Sequence, residues 1–297
     1  MKSDKNYNKI KLSKLIIHLV LILFTLFCVV PIILVVIISV MREKEIFTTG
    51  YTFFPKELTL AAYKQIFLNP KQLLTSYSIT FLTTLVGTIV GLILTTSMGY
   101  VISRKDYRYR KFFSFYIFFT MLFNGGLVPT YIMIVSWFKM KDTFFALLFP
   151  YLCMPFYVIL MRSFLQTIPS ALIESAKIDG ARELRIFIQI ILPLSKPAIA
   201  TVGLFIAFNY WNDWFQSMTY TTKINLFSLQ YLLVSIMKNI EFLNSSAGRL
   251  MTGSTVDLPQ YSARMAMCVM AAGPMLFIFP FFQKYFIKGL TIGSIKG

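Results

Sequence analysis

The residues of this chain that are equipped for chemistry fall in two short stretches. Asn209-Tyr210-Trp211-Asn212-Asp213-Trp214 sets three aromatic rings, two amides and a carboxylate within six positions. Aromatic rings offer an apolar face, and amides and carboxylates bond hydroxyl groups, so this mixture suits a polyhydroxylated ligand such as a sugar. The second stretch, 168–193, gathers Glu174, Asp179 and Glu183 with basic residues between long apolar runs. Neither stretch is a catalytic constellation. No nucleophile stands beside a general base, and no G-x-x-x-x-G-K-[ST] loop is present to cradle phosphates. The single histidine, His18, and three scattered cysteines provide no metal-ligand spacing. Cys28, Cys153 and Cys268 lie inside apolar runs and read as small buried hydrophobes, not a disulfide framework. The chain is expected to hold no cofactor and to catalyse no reaction itself.

What positions these stretches is a membrane. The 297 residues are 57% apolar and only 14% charged, with 30 Phe. A soluble domain of this size needs far more polar surface. Six apolar runs stand at about 15–40, 75–102, 112–138, 143–164, 197–218 and 265–286. Each approaches the roughly 20 residues that cross a bilayer core. Lipid offers no partner to backbone amides, so the runs must be helical. The predicted class is an all-α membrane protein: a tail, 1–14, then a transmembrane domain, 15–297, with about six transmembrane helices. The first run is too long for a cleaved leader and no small-x-small site follows it, so it reads as a retained span.

Net charge is +17, which in a soluble protein would point to nucleic acid. Here no basic helix with interleaved aromatics stands outside the apolar runs, so no nucleic-acid partner is expected. The charge follows membrane topology instead. With the N-terminus inside, eighteen of the 29 Lys and Arg fall in inside segments, five of them within 103–111. That bias predicts an N-in, C-in arrangement.

Two spans carry breakers. Asn124-Gly125-Gly126 with Pro129 interrupts the third, and Ala271-Ala272-Gly273-Pro274 is expected to interrupt the sixth. Gly87 and Gly91 form a G-x-x-x-G pair suited to close helix packing. Two loops are long: an inside loop, 165–196, and an outside loop, 219–264. Within the outside loop, 225–240 reads as a short helix near the outer surface.

The inside loop reads as two short helices with a break. Pro169 suits a first turn, and Glu174 is expected early, near the positive end of the helix dipole. Asp179-Gly180 is a stop signal, since glycine tolerates the left-handed backbone. A second, amphipathic helix from Ala181 places Leu184, Ile188 and Ile191 on one side.

This loop resembles the EAA loop of ABC importer permeases. That pattern runs Glu-Ala-Ala, three residues, Gly, nine residues, then Ile-x-Leu-Pro. Here it stands as Glu174-Ser175-Ala176, Gly180, Ile190, Leu192 and Pro193, with Ser175 as a small-for-small departure. Six spans with this loop between the fourth and fifth look like the MalG-type carbohydrate permeases. Phe123 to Tyr131 and Asn209 to Trp214 look like the LplC/YtcP-like subgroup. The resemblance implies a type I ABC importer permease fold in a bacterial plasma membrane. It implies that Glu174, Ser175, Ala176, Asp179 and Gly180 belong to a coupling helix seated on an ATPase subunit. It further implies a second related permease, a dimer of ATPase subunits carrying ATP and Mg, an extracellular sugar-binding protein, and a carbohydrate cargo, an oligosaccharide in this subgroup. Candidates for the substrate pathway are Asn124, Tyr131, Asn209, Tyr210, Trp211, Asn212, Asp213 and Trp214.

Two other classes compete. A secondary transporter would place paired ionisable residues in mid-membrane and show inverted repeats, and only Asp213 comes close. A membrane-embedded polysaccharide assembly protein would need a polar catalytic cluster at one face. For the 209–214 cluster itself, an outer aromatic belt competes with the pathway reading.

Overall fold

The computed structural model describes residues 3–245 and 259–294. Part of the outside loop, 246–258, lies outside the described residues, as do the chain's first two and last three. The architecture is helical. Its β structure among the described residues is one isolated bridge between Met41 and Leu58. The chain divides into two units, Met1–Leu68 with Ile236–Ala272, and Asn69–Ser235 with Gly273–Gly297.

In the first unit, α1 (Ser3–Ser39) leaves its apolar side chains exposed along most of its length, Phe27 at 79%. Such a surface would aggregate in water and is satisfied by lipid. Only its end packs: Ile38, Met41 and Ile46 form a small core with Leu34, Tyr261 and Met265. The helix α2 (Glu43–Thr49) contributes a distant cap. Its Glu43 carboxylate accepts the successive amides of Gln260, Tyr261 and Ser262 at 2.9–3.1 Å, and the Ser262 hydroxyl at 2.8 Å. Those amides open α15 (Tyr261–Ser294) and have no partner within their own helix. Between them, α3 is the short helix Ala61–Ile66.

The second unit is built on α4 (Pro70–Ser103), a helix of 34 residues. Around it run α5 (Arg110–Leu122) and α6 (Leu127–Ile132, continued by a π-helical turn to Trp137). Next come α7 (Phe144–Leu148) and α8 (Pro155–Leu165), then α9 (Ser170–Ile178). The chain continues through α10 (Glu183–Ile186), a π-helical turn (Phe187–Ile191) and α11 (Leu192–Leu194). It ends in α12 (Lys196–Trp211), α13 (Phe215–Tyr220) and the start of α14 (Leu229–Asn244). The core joins α4, α8 and α12 through Tyr100, Tyr157, Met161, Val202, Ile206 and Tyr210.

Glycines let α4 and its neighbours approach. A Cβ built at Gly87 would sit 2.3 Å from the Tyr210 ring, and one at Gly203 would sit 2.9 Å from Leu92 Cδ1. The G-x-x-x-G pair therefore does what its spacing predicts.

Among the described residues, three straight helical stretches are long and apolar enough to cross a membrane: Lys14–Ser39, Pro70–Ser103 and Tyr261–Ile278. The remaining crossings are bent. The pair α5–α6 turns by 110° at the predicted Asn124-Gly-Gly break, and α7–α8 bends by 48° before Pro155. The pair Glu183–Leu194 and α12 bends by 81°. The sixth span corrects the sequence reading: α15 runs unbroken through Gly273, Pro274 and Pro280. A proline removes one backbone bond, and flanking turns keep such a helix whole.

Three further corrections follow from burial. All three cysteines are exposed rather than buried, because an apolar side chain of a membrane protein has no need to turn inward. On the amphipathic segment Leu184 and Ile188 are exposed, while Ile186 and Ile191 are buried. A π-turn bonded i→i+5 lies between them and shifts the register, so a 3.6-residue count wrongly puts Leu184 and Ile188 on the buried face. The helix expected at 225–240 exists as α14, and its Leu229, Leu232, Leu233 and Ile240 are buried.

Candidate functional site

The inside loop protrudes as α9. Its end is a Schellman turn: Ala181 N donates to Ala176 O at 2.9 Å and Gly180 N to Lys177 O at 3.0 Å. Gly180 has φ +75°, the left-handed backbone that this turn requires. Of the motif, Glu174, Ser175, Asp179 and Gly180 are exposed and only Ala176 is buried. Ala176 joins the core cluster of Tyr100, Ile186 and Ile191, so its small size sets how closely α9 seats on the body. Glu174 lies in the second turn, deeper than expected, because the helix begins at Ser170. Sequence reading passed over Ile178, which is 87% exposed at the tip of this helix. An isoleucine so placed is suited to be covered by a partner.

Beside α9 lies a cleft of about 610 Å³ lined by Arg104, Lys105, Asp106, Arg110, Glu174 and Lys177, among others. At its wall four charges alternate in a closed ring. Arg104 Nη2 is 2.6 Å from Asp106 Oδ2 and 3.3 Å from Glu183 Oε1. Lys177 Nζ is 2.7 Å from the same Asp106 oxygen and 2.9 Å from the same Glu183 oxygen. Tyr100 donates its hydroxyl to Glu183 Oε2 at 2.9 Å, and the Arg104 guanidinium lies over the Tyr100 ring. Hydrogen bonds from Arg104 and then Lys177 hold the Asp106 carboxyl well below the usual carboxylate range. Bonds to Asp106 and then Glu183 push Lys177 upward. The ring joins two segments through contacts 71 and 79 residues apart in sequence, beyond the reach of any local pattern.

The 209–214 cluster divides by burial. Tyr210 and Trp211 are inside the protein, and Tyr210 donates its hydroxyl to Leu148 O at 2.7 Å. Asp213 is 9% exposed. Its Oδ1 accepts from the Tyr151 hydroxyl at 3.1 Å and from Gln216 N at 3.3 Å, which caps α13. Its carbonyl accepts from the Ser228 hydroxyl at 2.8 Å. Asn209 is half-buried and donates to the Tyr157 hydroxyl at 2.7 Å. Asn212 and Trp214 are exposed, Trp214 at 40%. Of the other candidates, Asn124 is exposed and accepts from Gly126 N at 2.9 Å, capping its own turn. Tyr131 stacks on Tyr220 of α13 at 5.9 Å between ring centres.

Residues 87–292 match the family described as the binding-protein-dependent transport system inner membrane component. The chain belongs to this family. The permease is 37% identical over 292 residues to the polygalacturonan/rhamnogalacturonan transport system permease protein YtcP of Bacillus subtilis, covering 97% of this chain and all of that one. It is 37% identical over 271 residues to the protein LplC of the same organism, covering 91% of this chain and 90% of that one. A solved bacterial ABC transporter that imports the acidic polysaccharide alginate contains a chain of the same fold. Its TM-score is 0.75 at 30% identity, covering 93% of the permease and 97% of that chain. The permease is therefore an all-α component of a bacterial inner-membrane ABC importer.

Proposed function

We propose that this permease forms one half of the translocation path for an oligosaccharide, coupled to a separate ATPase through α9. The observation that carries the reading is the form of that helix. A rigid Schellman cap at Gly180 fixes its end, Ala176 seats it on the core, and Glu174, Ser175, Asp179 and Ile178 are left uncovered. A surface of that kind fits a groove on another subunit. The work of hydrolysis falls to ATPase subunits that hold ATP and Mg, with a second permease completing the path and an extracellular binding protein delivering the sugar. Carbohydrate as cargo class is supported by the names of the relatives, which handle pectic polysaccharides and alginate. Asn212, Trp214 and Asn124 are the exposed pathway candidates, with Asn209 and Tyr131 beside them. Tyr210, Trp211 and Asp213 act from behind by holding the break between α12 and α13.

The test is reconstitution of the permease with a cognate ATPase, second permease and binding protein in liposomes. Oligosaccharide fragments of pectin should drive binding-protein-dependent ATP hydrolysis and accumulate inside. Glu174→Lys with Ile178→Asp should abolish co-purification of the ATPase. Uptake that continues without any ATPase subunit would refute the reading.

A further inference from the structure

The exposed face of α9 explains how the permease is grasped, and leaves open how the grasp is passed on. With nine residues, α9 is too short to hold its own orientation in water. Its apolar seat is small, Ala176 with partly buried Ile173. The rest of its fastening is electrostatic. Lys177 projects from α9 into both carboxylates of the ring, Asp106 just past the end of α4 and Glu183 at the start of α10. Arg104 sits behind, 10% exposed at its side chain, and also touches both. No charge in the ring is unmatched, and each cation contacts two anions. Isolated surface pairs contribute little, whereas a closed network with a shielded arginine holds a defined geometry.

On the reading that α9 docks the ATPase, we propose that this ring is the transmission link of the permease: Arg104, Asp106, Lys177 and Glu183 are positioning residues that make α4 move with the coupling helix. The long helix α4 is suited to carry the displacement. Gly87, seated on Tyr210 next to the Asp213 cap, lies seventeen residues before Arg104, about 25 Å along the helix axis. Docking and transmission are thereby divided between two sets of residues. Glu174, Ser175, Asp179 and Ile178 make no contact with the ring's charges and are left to the partner, whereas the ring ties α9 to the end of α4 and the start of α10.

The division is testable in the assembled importer, reading three quantities together: ATPase co-purification, ATP hydrolysis, and sugar transported per ATP. Asp106→Asn and Lys177→Met should leave co-purification unchanged and lower sugar per ATP by about tenfold, the size expected for losing two linked ion pairs. Lys177→Arg should restore the wild-type ratio, which a purely structural defect would not predict. Tyr100→Phe removes one hydrogen bond without touching a charge and should give a smaller loss; it serves if the charge variants assemble poorly. A wild-type ratio in Asp106→Asn, Lys177→Met and Tyr100→Phe would overturn the proposal, as would loss of co-purification in step with uptake in Tyr100→Phe. If Glu174→Lys with Ile178→Asp leaves docking intact, the coupling role of α9 itself fails, an outcome distinct from failure of the ring.

Discussion

Replacing Gly87 with alanine adds one methyl group, and the structure fixes where it must go. A Cβ at this position lies 2.3, 2.4 and 2.7 Å from Cε2, Cζ and Cδ2 of Tyr210. Carbon atoms rest about 3.5–4.0 Å apart, so the ring or the helix must retreat by more than about 1 Å. Tyr210 has little freedom to do so. It is 2% exposed, its hydroxyl is bonded to Leu148 O at 2.7 Å, and its ring meets Tyr151 edge-on at 5.7 Å between centres. Overpacking of a close-packed site costs about 1–3 kcal/mol, and the pinned ring places this case toward the upper end. For a chain of this size that corresponds to a fall of about 3–5 °C in the unfolding midpoint.

The assay is thermal unfolding of the purified permease complex in one detergent. Gly125→Ala is the control, since a Cβ there meets nothing nearer than Pro129 Cβ at 3.8 Å. A second comparison tests the mechanism. Tyr210→Phe removes the tether to Leu148, so the double variant Gly87→Ala/Tyr210→Phe should be less destabilised than the sum of its parts, by about 0.5–1 kcal/mol. A Gly87→Ala protein that melts with the control would refute the argument, and strict additivity would refute the role assigned to the hydroxyl.

Gly180→Val meets no atom within 4 Å, so its effect is backbone strain alone, about 1–2 kcal/mol for a side chain at positive φ. Membrane abundance should stay normal while co-purification with the ATPase and sugar uptake fall. Asp213→Asn keeps the oxygen that accepts from Gln216 N and should retain most uptake. Asp213→Ala removes the cap, a loss of about 1 kcal/mol, and should lower both uptake and the unfolding midpoint. Asp106 has a depressed pKa, so its contribution is present above the ordinary value of 3.8 and lost as pH falls through the lower folded value. Lys177 has a raised pKa, so its contribution is present below 10.5 and lost only as pH rises through the higher folded value. The stability difference between wild type and Asp106→Asn should therefore be flat from about pH 5 to 9 and shrink on further acidification.

The membrane class and the capped helix of the inside loop were legible in the sequence because both are written locally. Apolar runs report lipid contact, and Glu174-Ser175-Ala176 to Gly180 is spaced by one capped helix, which the Schellman turn at Gly180 explains. What eluded the sequence was anything set by packing between distant segments. Lys177, Asp106 and Glu183 look like three ordinary surface charges until α9 folds against the end of α4. Ile186 and Ile191 carry the buried face of their segment because the helix widens into a π-turn, and an α-helical count finds Ile191 but misses Ile186. The bend before Pro155 was likewise hidden, whereas the continuous α15 shows that Pro274 alone does not decide a break.

The pathway candidates show a deeper ambiguity. A helix broken inside a membrane exposes amides that lipid does not satisfy, and a short polar side chain two or three residues ahead can take the free amide. Asn124 stands two residues before Gly126 N, and Asp213 three before Gln216 N, and each accepts from that amide. A sugar site asks for the same residue types in the same places, because a break is also where a helix opens room for a ligand. Sequence alone thus draws the cap and the ligand contact with one signature. Burial separates them. Asp213 is turned inward to Tyr151 and Gln216 and is committed to the break, whereas Asn212 and Trp214 on either side of it are exposed. On the proposed pathway, recognition then falls to the residues that flank the cap. Trp214→Ala should weaken uptake with the unfolding midpoint unchanged, the reverse of the pattern expected at Gly87. Equal uptake by Trp214→Ala and wild type at limiting sugar would place recognition elsewhere in the importer.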